Sequence, residues 1–425
     1  MEATVNWMLR KWRDLWPGGL TRHQYSTLNL MAFCRHGLLG YNHARCGDCR
    51  HHEIYPSSCG DRRCPKCLGP RQAQWSAQVC SRLPDCAHFH VVFTLPAQLN
   101  EFFRLNYCLA ANLLFAAAAE TIKLFQANNW RMEGAFLAVL HTWGSALNWH
   151  PHLHVLVSAG GWYRVNGRWR QMRPDYMFHV GSMSMVFRAI FLRKLEELDA
   201  DPDVKWPEEL DTMEKRRSWR VNLAARNWNI FTRPTLGNTR AVVRYLARYT
   251  SRIAISNQRI TAVDAAARTV SFNCKDYRHE GRNKEITMSG SMFLRCFAQH
   301  LVPKGFRRVR YFGLLTGRRD RIQQLPDAPQ RSIGEDAPTQ SRPACPRCGG
   351  QNWTYPKLRS FPHLSRIRPG TKLTITKRCK PEDWSFSLQQ TRASPDSRRI
   401  VQQEDDADAV HLPDVFFGSR RRRIS

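Results

Sequence analysis

The chain has 425 residues, enough for two or three domains and a sizeable core. Its 65 Lys and Arg against 35 Asp and Glu leave a net charge of +30, which concentrates polyanions around the protein and makes nucleic acid the default partner. Membrane-surface binding would want an amphipathic basic helix or a lipidation signal, and the sequence offers neither.

Residues 1–35 read as basic and helical, and charges and Pro17-Gly18-Gly19 break Met1–Leu20 too often for a secretory leader. Residues 36–72 are rich in Cys, His, Gly and Pro without a long apolar period, as in a small module stapled by metal. Cys46-Gly-Asp-Cys49 and Cys64-Pro-Lys-Cys67 are two Cys-x-x-Cys knuckles separated by fourteen residues. Zinc takes four soft ligands in a tetrahedron, and two such turns supply them, so Cys46, Cys49, Cys64 and Cys67 are expected to hold structural Zn²⁺. His52 and Cys59 lie between the knuckles as alternative ligands. Arg45, Arg50, Arg62, Arg63, Lys66 and Arg71 give the module a basic surface, read equally well as a solvated face or a DNA contact.

Residues 85–315 carry the apolar periodicity of the main domain. His88–Leu95 is β-branched and aromatic and stops at Pro96, a strand; 99–128 reads as one or two helices. The most apolar stretch, Tyr107–Ala119, is short for a membrane span, contains Asn112 and ends at Glu120, so it reads as a buried helix. Ala135–Trp143 and His152–Val157 read as strands joined by a turn near Gly144-Ser145, with Gly160-Gly161 closing the second. Helices are expected over 184–198 and 240–252, and strands over 269–273 and 308–313. Helices on an antiparallel or mixed sheet make the fold α+β. Residues 316–425, richer in Pro, Gln, Asp and Arg and ending near Arg420–Arg423, read as a loosely ordered basic tail. The divisions are thus 1–84, 85–315 and 316–425. Within the last, Cys345-Pro-Arg-Cys348 is a lone knuckle with no evident partners.

Two patterns carry chemistry. On a strand, His152 and His154 point to one side with Leu153 opposite, so two imidazoles can share a divalent ion. His141, eleven residues upstream on the preceding strand, is the first choice for a third ligand, with His90 and His150 as rivals. Histidines satisfied within the core are the bland alternative. Such a metal keeps positions open for a phosphate oxygen. Tyr245 and Tyr249, four apart, share a face of the helix expected there, and Arg244, Arg248 and Arg252 run along an adjoining face fit to clamp phosphates. Two aromatics at this spacing also suit plain core packing, and only beside the histidines and the charge do they point to phenolic nucleophiles.

In order, a strand ending Phe93-Thr94-Leu95-Pro96, then His152-Leu153-His154, then Tyr245 and Tyr249 resemble the three motifs of the HUH endonuclease superfamily, and the longer phrases Val91–Pro96, His150-Pro151-His152-Leu153-His154, Tyr245-Leu246-Ala247-Arg248-Tyr249 and Leu301–Phe306 narrow the resemblance. The closer resemblance is to two-tyrosine rolling-circle transposases of the insertion sequence ninety-one type, which carry an N-terminal zinc-binding domain; it covers roughly residues 20–315. The resemblance implies an antiparallel HUH sheet flanked by helices. It implies catalytic Mg²⁺ or Mn²⁺ on His152 and His154, and Tyr245 or Tyr249 attacking single-stranded DNA at transposon ends to leave a 5′-phosphotyrosine and a free 3′-OH. The second tyrosine would serve strand transfer to the target. The expected location is the cytoplasm, at the nucleoid. A zinc-dependent DNA-binding regulator without catalysis, and a replication initiator or relaxase with the same chemistry, are the alternatives.

Overall fold

The computed structural model describes residues 4–61, 63–67, 75–234, 254–276, 282–317, six positions between 322 and 329, 344–355, and two strands at 371–376 and 385–390. The chain divides into two units: Met1–Ala32 with Gly60–Thr339, and Phe33–Cys59 with Gln340–Ser425. This differs from the division read in the sequence. The stretch 1–84 is split between units, and 344–355, expected to belong to a loose tail, folds with Phe33–Cys59.

In the large unit the chain opens with α1 (Val5–Lys11) and α2 (Arg22–Ala32). Thr4 caps α1 through the Trp7 N–H at 3.2 Å. Thr21 and Gln24 form a reciprocal capping box on α2: the Thr21 N–H donates to Gln24 Oε1 at 2.9 Å and the Gln24 N–H to Thr21 Oγ1 at 3.2 Å. The Asn6 amide fastens the pair by donating to the Met31 carbonyl at 2.8 Å.

The small unit is built on β1 (Tyr41–Cys46) and β2 (His52–Pro56), an antiparallel hairpin, with a short strand at Trp353–Thr354 on the other side of β1. A second hairpin pairs Thr371–Thr376 with Ser385–Gln390.

The centre of the large unit is an antiparallel sheet. Its strands are β3 (His88–Thr94), β4 (Met132–Trp143), β5 (Trp149–Tyr163), β6 (Arg168–Gln171), β7 (Ile230–Pro234) and a late strand, Val309–Gly313. The order is Val309–Gly313, β4, β5, β3, β7, with β6 pairing to β5. Alternation along the central strands divides their residues between two faces. Phe89, Val91, Phe93, Phe136, Ala138, Leu140, Leu153, Val155 and Val157 point to one and join the main core. That face is covered by α3 (Asn100–Leu105), α4 (Tyr107–Phe125) and α5 (Val180–Glu196), which contribute Phe103, Leu114, Phe115, Ile122, Phe187 and Phe191. The apolar helical run Tyr107–Trp130 is long enough to cross a membrane, but 61% of its most apolar window is buried. Its Ala-rich surface suits close packing against sheet and helix, which makes it a core helix.

The opposite face is mixed. Toward one end Ala135, Leu137, Val139 and Leu156 make a smaller core with Val79, Leu83, Leu314 and Leu315. Toward the other end the same face carries histidines. The remaining elements are α6 (Met213–Ala224), the antiparallel meander β8 (Ile260–Asp264), β9 (Thr269–Asp276) and β10 (Arg282–Ser289), and α7 (Gly290–Gln299), which Ser289 caps. The meander and α7 join α1: Asn257 accepts from the Val5 N–H at 3.1 Å, Arg268 pairs with Asp14, and a Cβ on Gly290 would meet the Trp12 ring.

The architecture is therefore α+β with antiparallel sheets, as the sequence predicts.

Candidate active site

The register of the sheet gathers the histidines. His141 on β4 lies directly opposite His152 on β5, and Val139 opposite His154. On the other flank of β5, Thr94 faces His152 and Val92 faces His154, which puts His90 on the same face two positions along β3. Between the pairs His141–His152 and Trp143–Trp149, β5 spends two residues, His150 and Pro151, where β4 spends one. This bulge explains a proline inside a central strand, since a bulged residue needs no ladder N–H. It also kinks the strand next to His152, as bulges beside active sites commonly do.

One ligand nitrogen from each of His141, His152 and His154 lies within 4.8 Å of the others, and all three residues are buried. The Nε2 atoms of His152 and His154 are 3.1 Å apart. Their Nδ1 atoms are occupied elsewhere: that of His152 is 2.7 Å from the His150 carbonyl oxygen, to which it donates, and that of His154 is 2.8 Å from His90 Nε2. In the tautomer in which His154 Nδ1 donates to His90, both Nε2 lone pairs are free for a shared ion. A divalent ion with bonds near 2.0–2.1 Å separates neighbouring ligands by about 3.0 Å at octahedral angles and about 3.4 Å at tetrahedral ones, so the spacing fits a metal. Burial lowers the pKa of His152 to about 4, which keeps its imidazole neutral and able to ligate at neutral pH.

Aromatic rings lead from the triad to the main core: Trp143 stacks on His141 with ring centroids 4.6 Å apart and meets His300 at 5.9 Å, and His300 stacks on Trp149 of the main core at 5.7 Å. His300 is tied down from both sides, by the Thr142 hydroxyl and the Leu147 carbonyl, each at 3.1 Å. Burial lowers its pKa to about 4. The Arg308 guanidinium sits 6.0 Å over Trp143 and brings positive charge to the rim.

Of the residues singled out in the sequence, His141, His152 and His154 are thus brought together. His150 contributes its carbonyl, and His90 contacts His154 rather than joining the triad. Tyr245, Tyr249, Arg244, Arg248 and Arg252 lie outside the described residues.

The cysteines group differently from the sequence expectation. Cys46 and Cys49 meet Cys345 and Cys348, not Cys64 and Cys67. The expected set Cys46, Cys49, Cys64 and Cys67 is therefore corrected: the fold places the C-terminal knuckle, and not Cys64 and Cys67, beside Cys46 and Cys49. Cys64 and Cys67 belong to the large unit, where they form a single tight turn (Cys67 N–H to Cys64 carbonyl at 3.1 Å) and the Asn6 amide reaches the Cys64 sulfur at 3.3 Å. In the small unit the Cys59 N–H points at the Cys34 sulfur at 3.4 Å, and His52 pairs with His43 at 2.7 Å. The signal for Cys345 and Cys348 was in the sequence, a third Cys-x-x-Cys followed by Gly349-Gly350. Its distance along the chain hid the partnership.

Comparison with known proteins decides the family. Residues 135–322 match the family described as "Putative transposase", and residues 6–95 match "Transposase zinc-binding domain". A protein of Sinorhizobium fredii named "Putative transposase y4qJ" is 36% identical over 361 residues, 84% of this chain and 90% of that protein. The "Transposase for insertion sequence element IS801" of Pseudomonas savastanoi pv. phaseolicola is 33% identical over 312 residues, 71% of this chain and 72% of the other. The chain belongs to the IS91-family transposases. No solved structure matches it. As an IS91-family transposase it acts on DNA as a strand transferase or endonuclease, and it carries a zinc-binding domain. In this transposase the longer match spans the histidine triad and the Tyr245–Tyr249 segment. The zinc-binding match takes in Cys46 and Cys49 but stops far short of Cys345 and Cys348.

Proposed function

We propose that this transposase cleaves single-stranded DNA at transposon ends by tyrosine attack at a metal centre held by His141, His152 and His154, and rejoins it at a target in rolling-circle transposition. The convergence of the His152 and His154 Nε2 atoms at 3.1 Å, with His141 across the strand pair, carries this reading. Mg²⁺ or Mn²⁺ there would polarise the scissile phosphate and orient it. His152, its pKa lowered by burial, presents a neutral nitrogen, and the strand pairing holds the three rings together before substrate arrives.

Tyr245 or Tyr249 attacks phosphorus through its phenolic oxygen, losing its proton. The bond to the 3′ oxygen breaks, that oxygen takes up a proton as a free 3′-OH, and the phosphate stays on the tyrosine as a 5′-phosphotyrosine. The other tyrosine serves the second transfer, and Arg244, Arg248 and Arg252 bind backbone phosphates. The protein works in the cytoplasm at the nucleoid.

The test is covalent capture. Single-stranded oligonucleotides from the element's own ends, labelled 3′ to the cut, are incubated with Mg²⁺ or Mn²⁺ and run on a denaturing protein gel. A labelled protein band that vanishes with EDTA and in the Tyr245→Phe/Tyr249→Phe variant is expected. Nicking that persists in that variant rules out tyrosine chemistry. DNA binding without any adduct favours a DNA-binding regulator.

A further inference from the structure

We infer that Cys46, Cys49, Cys345 and Cys348 ligate one zinc ion, so that residues 344–355 are an integral half of the zinc module rather than part of a tail.

The sulfur positions fit the ion. Cys46 Sγ lies 3.7 Å from Cys348 Sγ and Cys49 Sγ lies 3.6 Å from Cys345 Sγ, with all four within 4.8 Å of one another. Tetrahedral zinc with bonds near 2.3 Å separates its sulfurs by about 3.8 Å. A disulfide would need about 2.05 Å, and these cysteines are free thiols.

The backbone is built twice to the same plan. After Cys46-Gly-Asp-Cys49 the next residue, Arg50, takes a left-handed φ of 59°, and its N–H donates to the Cys46 carbonyl at 3.0 Å. After Cys345-Pro-Arg-Cys348 the next residue, Gly349, takes a left-handed φ of 75°, and its N–H donates to the Cys345 carbonyl at 2.7 Å. One residue further the match continues: the Cys46 and Cys345 N–H groups donate to the carbonyls of His51 and Gly350, each at 2.8 Å. Two copies of one turn, each offering two thiols, face each other as in a zinc ribbon.

The contact between the copies is specific. The Gly47 N–H donates to the Asn352 carbonyl at 2.6 Å, and the Asn352 amide reaches Asp48 at 3.4 Å. Side chains at Gly47 and Gly350 would strike Asn352 and Asp48. Arg45 and Cys46 pair with Thr354 and Trp353, and Trp353 buries itself against Ala44, Cys46 and Cys345. Four thiols drawn this close in so small a core repel when ionised, and a divalent cation relieves that repulsion.

The test uses the full chain. Zinc per chain is measured on wild type and on Cys345→Ser/Cys348→Ser, and the variant is expected to hold one zinc fewer. To separate ligand loss from misfolding of the variant, wild type is alkylated with and without a zinc chelator and the modified cysteines are read by mass spectrometry. Cys345 and Cys348 are expected to be protected in the zinc-loaded protein and to become reactive together with Cys46 and Cys49 as the metal leaves. Unchanged zinc content in the double variant, or free alkylation of Cys345 and Cys348 while Cys46 and Cys49 stay protected, overturns the assignment. Neither readout depends on transposition.

Discussion

His90 holds His154 from the adjacent strand: its Nε2 lies 2.8 Å from His154 Nδ1, and the two rings are nearly coplanar, 11° apart, with centroids 5.1 Å apart. When His154 binds a metal through Nε2, its Nδ1–H donates to His90, so His90 fixes both the tautomer and the ring plane of a ligand. His90→Ala is therefore expected to weaken Mn²⁺ affinity roughly 10–100-fold without removing the site. Titration calorimetry of the zinc-loaded protein measures this. His90→Gln, which keeps an acceptor, should recover part of the loss, and unchanged affinity in His90→Ala would remove the positioning role.

The ligands themselves should behave more severely. His152→Ala and His141→Ala take away groups from the centre of the cluster, and each is expected to abolish Mn²⁺ binding or weaken it well beyond His90→Ala. DNA affinity, measured by anisotropy, should change little, because phosphate contacts come largely from the basic surface. Full Mn²⁺ affinity in His152→Ala would contradict the metal reading.

Three buried imidazoles set a pH dependence. Burial lowers His90, His152 and His300 to about 4 from 6.5, with Arg233 adding to the effect at His90. Between those values the unfolded chain binds more protons than the folded one, so stability rises with pH across the window. It is fully present above about 6.5 and is lost as pH falls toward 4, by an amount on the order of 1 kcal/mol or more per group. Chemical denaturation of metal-free protein should give a lower midpoint at pH 5 than at pH 7.5. Equal midpoints would mean that these rings are hydrated or protonated in the native state.

Gly161 sits where β4 and β5 press together. It pairs with Gly134, and a Cβ there would overlap the Glu133 carbonyl oxygen. Gly161→Ala must push backbone apart, an overpacking cost of about 1–3 kcal/mol. A drop in Tm of several degrees is expected, and an unchanged Tm would show that the strands separate freely at this point.

The same glycine shows where sequence reading stops. The pair Gly160-Gly161 looks like a strand terminator, yet β5 runs through it to Tyr163 and needs it for close approach to β4. By contrast, alternation alone placed His152 and His154 on one side and Leu153 in the core, as the structure has them. The place of His141 across the strand pair was also readable, because a short turn near Gly144 leaves two neighbouring strands little choice but to form a hairpin. The edge strand Ile230–Pro234 and the outer strands of the meander, Ile260–Asp264 and Arg282–Ser289, escaped notice, while its middle strand was read over 269–273. Their sequences alternate weakly and stay half exposed, so periodicity carries little signal. The thiol grouping was misread for a different reason. Proximity along the chain favoured Cys64 and Cys67, while the structure pairs Cys46 and Cys49 with thiols some 300 residues away.

That separation has a consequence for synthesis. Cys49 and Cys345 are 296 residues apart, so at about 5–20 residues per second the first knuckle waits roughly 15–60 s on the ribosome for the second. A copy of the gene cut short by a stop codon or an insertion anywhere in between yields a chain whose Cys46 and Cys49 have no closing pair. Four thiols sharing one zinc would close the ribbon only on a polypeptide translated past Val309–Gly313, the last strand of the central sheet.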